Sequence, residues 1–156
     1  MASGSISLTS AATLWQGRID WESTTDEYSG VSYVTATVYT WVVGQYGSSY
    51  YLPFQGSLTV GGRTESFSFP EQKNYEMEHV TISNVPVYHS TGGDTTCAIA
   101  AYIEATDTHL SMYGKPLSGS QSVTVYDPGD PSRVSLGHIK CLIHFTVTVS
   151  CKIKRS

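Results

Sequence analysis

Apolar and polar residues alternate along most of this chain with a period of two. From Thr13 to Ser23, Trp15, Gly17, Ile19 and Trp21 fall on one side, and Leu14, Gln16, Arg18, Asp20 and Glu22 on the other. From Ser32 to Val43, Val34, Ala36, Val38 and Val42 oppose Tyr33, Thr35, Thr37, Tyr39 and Trp41. Alternation carried by β-branched and aromatic residues is the pattern of a half-buried strand. The polar run 23–30 between these two segments ends in Gly30 and predicts a loop.

The same period continues downstream. Phe54 to Val60 and Arg63 to Phe69 are separated by Gly61-Gly62, and two glycines between alternating runs predict a tight hairpin. Pro70 stops the second of these strands. Glu71 to Glu78 is the one segment of helix-forming composition and predicts at most a turn or two. His79 to Val87 and Thr95 to Thr106 predict another strand pair, joined by the Gly-rich stretch 90–94, with Cys97, Ile99, Ala101, Ile103 and Ala105 on a core face. Ser120 to Tyr126 predicts one more strand. Asp127-Pro128-Gly129-Asp130-Pro131 is the sharpest break, and the longest regular pattern follows it. Between His138 and Lys154, Ile139, Cys141, Ile143, Phe145, Val147, Val149, Cys151 and Ile153 share one face, with Leu142 the exception. Its 17 residues exceed the usual strand length of about three to ten. Such a segment would be bent or bulged, cross between two sheets, or pair with another subunit.

These segments sum to about eight strands with little or no helix. Strands at roughly ten-residue spacing predict a sandwich or barrel, and the lack of helical crossovers favours an antiparallel sandwich, jelly-roll or immunoglobulin-like. Residues 1–126 form the expected sandwich domain. Residues 127–156 form a Pro/Gly linker and a long C-terminal strand that completes the same domain or an intersubunit sheet.

Composition supports this reading. Among 156 residues there are 22 Ser, 18 Thr and 11 Tyr, whereas charged residues make up only 14 %, against roughly 25 % in an average domain. A net charge of −4 with no clustered basic face argues against nucleic acid. No apolar run approaches the roughly 20 residues that span a bilayer, and the N-terminus lacks a signal-peptide pattern. The three cysteines Cys97, Cys141 and Cys151 cannot all pair within one chain. Along one extended strand Cys141 and Cys151 would lie roughly 33 Å apart, which points to reduced, buried thiols in a protein made in a cytoplasm.

Three stretches carry a resemblance. Gly4-Ser5-Ile6-Ser7, then Gln16-Gly17-Arg18-Ile19-Asp20-Trp21-Glu22-Ser23-Thr24, then Val34-Thr35-Ala36-Thr37-Val38 resemble the N-terminal domain of a family of siphophage and prophage minor structural proteins associated with the tail tip. Gly56-Ser57-Leu58-Thr59-Val60-Gly61-Gly62 is similar to that family's Gly-Ser-Leu-x-Ile-x-Gly hairpin. The likeness covers residues 1–126 and is strongest in the first 69. It implies a virion component, assembled in the bacterial host cytoplasm, whose partners are other copies or other virion proteins, with possible contact to a host surface. It names no ligand, no cofactor and no catalytic residue.

Candidate binding chemistry concentrates in one stretch. Trp41, Tyr46, Tyr50, Tyr51 and Phe54 surround a Gly-rich loop, with Gln45 and Gln55 beside them. Exposed aromatic faces stack on the apolar faces of sugars, and amides bond their hydroxyls. The same residues would serve equally as core or as a subunit contact. Asp20 and Glu22 share a strand face, the arrangement a calcium ion or a glycosidase would use, but no calcium-loop spacing accompanies them. His138 and His144 lie about 20 Å apart on one strand face, too far to share an ion. No Gly-x-Ser-x-Gly elbow is present. The sequence therefore predicts a non-enzymatic structural virion protein with possible glycan recognition and no metal or cofactor. A carbohydrate-binding module, free or attached to a glycan-degrading enzyme, is the second reading, and a sandwich-fold glycosidase or lyase the third.

Overall fold

The structure, a computed structural model, describes residues 1–26, 29–44, 53–89 and 93–127. The expected strand 138–154 and the linker before it lie outside the described residues, as do Cys141 and Cys151. Among the described residues eight strands form in order: β1 (Ala2–Leu8), β2 (Trp15–Asp26), β3 (Val31–Val42), β4 (Phe54–Val60), β5 (Arg63–Phe69), β6 (Met77–Tyr88), β7 (Thr95–Ala105) and β8 (Leu117–Val125). They make two four-stranded antiparallel sheets, β1-β2-β3-β6 and β5-β4-β7-β8, packed over one core. The protein is thus an all-β sandwich. Setting β1 aside, β2 to β8 follow the order A-B-E on one sheet and C′-C-F-G on the other, the immunoglobulin-like Greek key rather than a jelly roll.

The inward faces are those the alternation marks. Ile19, Val34, Val38, Leu58, Ile99 and Ile103 are fully enclosed, so the apolar set of each strand meets its counterpart across the sandwich. Gly61 and Gly62 form the two-residue turn between β4 and β5, both with positive φ, +55° and +87°. A turn of that type admits side chains poorly, which is why glycine occupies both places.

One strand is added to those the alternation marks, and two local expectations are refined. The first strand, β1, lies in a stretch of Ala, Ser and Gly where only Ile6 and Leu8 are buried; its alternation is too thin to recognise, and its pairing with β2 makes it a strand. Glu71 to Glu78 forms no helix. Residues 71–76 are a connection pinned by Gln72, whose side chain is fully enclosed, and Met77 and Glu78 begin β6. Trp21, on the apolar side of β2, packs against the core but is only half-buried, its ring reaching the β1 edge against Gly4.

Bulges shape the β3–β6 pair. Opposite Thr35, β6 carries an extra residue, and Asn84 takes positive φ (56°) while its N–H donates to Thr35 Oγ1 at 3.1 Å. A second register shift falls between Val38 and Tyr39, opposite His79. Bulges re-aim side chains, and here the His79 ring lies over Phe69 with centroids 4.0 Å apart. That stack closes the sandwich between β5 and β6. The opposite side is closed by Thr9 and Ser118, which exchange backbone hydrogen bonds of 2.9 and 3.0 Å. The close approach of β1 to β8 requires Gly119, where a Cβ would meet the Ser7 carbonyl oxygen at 2.7 Å.

Candidate functional site

Antiparallel pairing sends the connections 9–14, 43–53, 70–76 and 106–116 out of one end of the sandwich. Their bases are laced together. Val43 N–H donates to Leu14 O at 2.8 Å, Val42 N–H to Lys73 O at 3.0 Å, Thr106 N–H to Pro53 O at 3.0 Å, and Ser10 Oγ to Lys115 O at 2.8 Å. Leu110 and Met112 turn inward and cap the core from the last of these loops. Leu14, Val43, Tyr75 and Tyr113 stay exposed around the same end. In immunoglobulin-like lettering, 43–53 is the B–C connection and 106–116 the F–G connection, the loops that variable domains use for recognition. The aromatic stretch singled out in the sequence therefore emerges between β3 and β4 at this end.

The three predicted binding residues among those described do not gather as one cluster. Gln45, Tyr46, Tyr50 and Tyr51 lie outside the described residues. The remaining three face three different surroundings, because β3 and β4 belong to different sheets and alternate independently. Phe54 is in the core, 1 % exposed, stacked on Phe69 at 4.9 Å and tilted against Trp15 at 5.3 Å. Its aromaticity serves packing, and it is not available to a ligand. Trp41 stands on the outer face of the first sheet, 5.8 Å from the Arg18 guanidinium, which also lies 4.9 Å from the Tyr39 ring. Gln55 stands on the outer face of the second sheet, its Nε2 donating to Glu104 Oε1 at 2.6 Å.

Around Gln55 lies a depression of about 530 Å³ that sequence reasoning missed. Register builds it. Ser66, Ser57, Tyr102 and Ser118 form one outward row across β5, β4, β7 and β8, and Ser68, Gln55 and Glu104 form the next. Tyr102, 44 % exposed, donates its hydroxyl to Glu104 Oε2 at 3.0 Å, and that bond pushes the phenol pKa up. Both carboxylate oxygens of Glu104 are thus engaged, so the ring of Tyr102 and the amide of Gln55 are fixed relative to each other. The alternation that put Ile103 and Ala105 in the core already placed Tyr102 and Glu104 outward. Their meeting with Gln55 depends on strand pairing, which a single sequence does not display.

The carboxylates weighed for metal or glycosidic chemistry are otherwise engaged or isolated. Asp20 holds Arg18 Nε through both oxygens, at 2.9 and 3.0 Å, and Glu76 takes the two terminal nitrogens; Glu76 first, then Asp20, raise the guanidinium pKa further. Glu22 lies one position along the same outer face, toward Ser3 and Thr35. Among the described residues no three His, Cys, Asp or Glu side chains stand close enough to share an ion. Ser32 Oγ lies 2.8 Å from His89 Nε2, as a nucleophile would from its base, but Ser32 is fully enclosed and also meets Thr25 Oγ1 at 3.1 Å. The pair ties the start of β3 to the end of β6. No helix among the described residues is long and apolar enough to cross a membrane.

The buried polar groups near the loop end form a single chain. Neutral His79 lies with Nε2 2.6 Å from Thr40 Oγ1; Thr40 lies 2.6 Å from Gln72 Oε1, which also accepts Trp15 Nε1–H at 3.0 Å. Burial lowers the His79 pKa to about 4, so the imidazole is a hydrogen-bonded strut at neutral pH. Cys97 is buried and unpaired on β7, and burial pushes its thiol up.

No family model, no curated protein and no solved structure matches the chain. What the fold and the site define is an immunoglobulin-like sandwich with a loop-built end and a polar, aromatic depression beside it.

Proposed function

We propose that this chain is a non-enzymatic structural virion protein of a tailed phage or prophage, associated with the tail, whose sandwich presents its loop end to the host surface or to a neighbouring virion protein. One observation carries the recognition half of this reading. Four connections leave one end with their bases hydrogen-bonded to one another, and exposed Leu14, Val43, Tyr75 and Tyr113 surround the place where the aromatic stretch 43–53 departs. A rigid scaffold with apolar and aromatic side chains on its connecting loops is how sandwich domains build contact surfaces. The virion half is supported by the likeness of residues 1–126 to the tail-tip-associated family.

A carbohydrate-binding module outside any particle is the second reading, favoured by the exposed Tyr102 on a hydroxyl-lined sheet face. Immunogold electron microscopy with antibody raised against this chain separates the two. Label at one end of the tails of particles purified from the encoding host supports the virion protein. Particles without label, with the antigen found only free, refute it and leave the module.

A further inference from the structure

The depression on the outer face of the β5-β4-β7-β8 sheet has the make-up of a sugar subsite, and we infer that it binds a neutral, hydroxyl-rich glycan lying across the strands. The inference deepens the host-surface reading above and rests on it. Large aromatics on this face are rare among its serines and threonines, and Tyr102 is the one that projects, 44 % exposed and immediately beside Ser57. An isolated exposed tyrosine would sample several rotamers. Here the hydroxyl is tied to Glu104 at 3.0 Å and Glu104 is tied to Gln55 at 2.6 Å. Much of the ordering cost is therefore met before any ligand arrives.

The ring offers a flat face for the C–H side of a pyranose. Ser57, Ser66 and Ser68 line the rest of the depression with hydroxyls that donate and accept. Gln55 directs its amide nitrogen to Glu104, which leaves the amide oxygen to accept from a ligand hydroxyl. This donor and acceptor set suits a polyol, whose hydroxyls do both.

Charge decides between classes of glycan. Among the described residues, the only charged side-chain type lining the depression is the carboxylate of Glu104, and no lysine or arginine lines it. The chain as a whole carries −4. A uronate, sialate or phosphate-bearing polymer would meet a carboxylate with no cation to offset it, and like charge at close range disfavours the complex. Neutral hexoses and N-acetylhexosamines meet no such penalty. Position adds support, because Gln55, Ser68 and Glu104 sit next to the strand ends from which 43–53 and 106–116 emerge. A glycan lying across the strands on this face would pass beside the loop end.

The test is calorimetric titration of the full chain with malto-, cello- and chito-hexaose and, as the charged probe, an alginate hexamer. At least one neutral hexasaccharide binds, alginate does not, and Tyr102→Ala weakens the neutral sugar by about tenfold, the scale of one lost aromatic stack. Tyr102→Phe keeps the ring but loses the tie to Glu104, so its affinity falls between those of wild type and Tyr102→Ala; Gln55→Ala, chosen in case Tyr102→Ala misfolds, weakens binding as well. Trp41→Ala, on the other sheet, changes nothing. Neutral sugar bound equally by wild type, Tyr102→Ala and Gln55→Ala overturns the subsite. If that binding is instead lost on Tyr50→Ala, the host-surface reading stands without it. Preference for alginate, or no neutral sugar bound at all, overturns the subsite too, while tail labelling by antibody still decides the virion assignment separately.

Discussion

Replacing Gln72 by leucine tests the interior of this sandwich most sharply. Gln72 sits on an irregular connection, yet its side chain is fully enclosed and its Oε1 accepts two buried donors, Trp15 Nε1–H at 3.0 Å and the Thr40 hydroxyl at 2.6 Å. Leucine has similar volume and no acceptor. The Thr40 hydroxyl can turn to His79 Nε2, but only if the imidazole shifts its proton to Nδ1. The Trp15 N–H has no substitute among the groups described around it. A buried donor without a partner costs about 1–3 kcal/mol, and the strained rearrangement at Thr40 adds part of a second such penalty. The loss is therefore about 3 kcal/mol, a drop in Tm of about 6–12 °C for a domain of this size. Urea denaturation and calorimetry measure it. A double-mutant cycle isolates the cause: in a Trp15→Phe background the indole N–H is already gone, so Gln72→Leu costs at least about 1 kcal/mol less there. A cost below about 0.5 kcal/mol, or an equal cost in both backgrounds, would show that the network is not what holds this connection.

Other outcomes follow from the same structure. His79 is neutral in the folded protein with its pKa lowered to about 4, whereas the unfolded chain protonates near 6.5. Stability is therefore full above about pH 6.5 and falls as pH drops toward 4, by about 1–2 kcal/mol once the partly wet ring is allowed for, and then levels off. Denaturation midpoints at pH 7, 5.5 and 4 show this slope in the wild type and not in His79→Leu. Gly119→Ala forces a Cβ to within 2.7 Å of the Ser7 carbonyl oxygen, so it costs about 1–3 kcal/mol, and amide exchange at Thr9 and Ser118 speeds up more than at the core of β7. With Cys141 and Cys151 replaced by serine, the buried Cys97 thiol reacts with an aromatic disulfide reagent only at the rate of unfolding; immediate reaction in native buffer would contradict its burial.

The two-residue period, read along one chain, marks this protein as all-β and identifies most of the side chains that fill its core. Strand geometry makes that information local: successive side chains point to opposite faces whatever the partner strand. The Gly61-Gly62 hairpin was legible for the same reason, since a turn with positive φ at both centres needs those residues and no distant contact. Where the local signal was thin or misleading, tertiary contacts decided. Ala2–Leu8 becomes a strand by pairing with β2, and Glu71 to Glu78 loses its helical tendency because burial of Gln72 against Trp15 and Thr40 outweighs propensity. The candidate site follows this division. Sequence proximity grouped Trp41, Phe54 and Gln55, but they lie on strands of two different sheets, so they end on an outer face, in the core and on the opposite outer face. Conversely, Gln55 lies 49 residues from Glu104 in sequence and meets it and Tyr102 only through the β4–β7 register. Between strands not joined by a tight turn, register is fixed by the packing of their buried faces, and a single sequence contains no record of which of their residues will stand side by side.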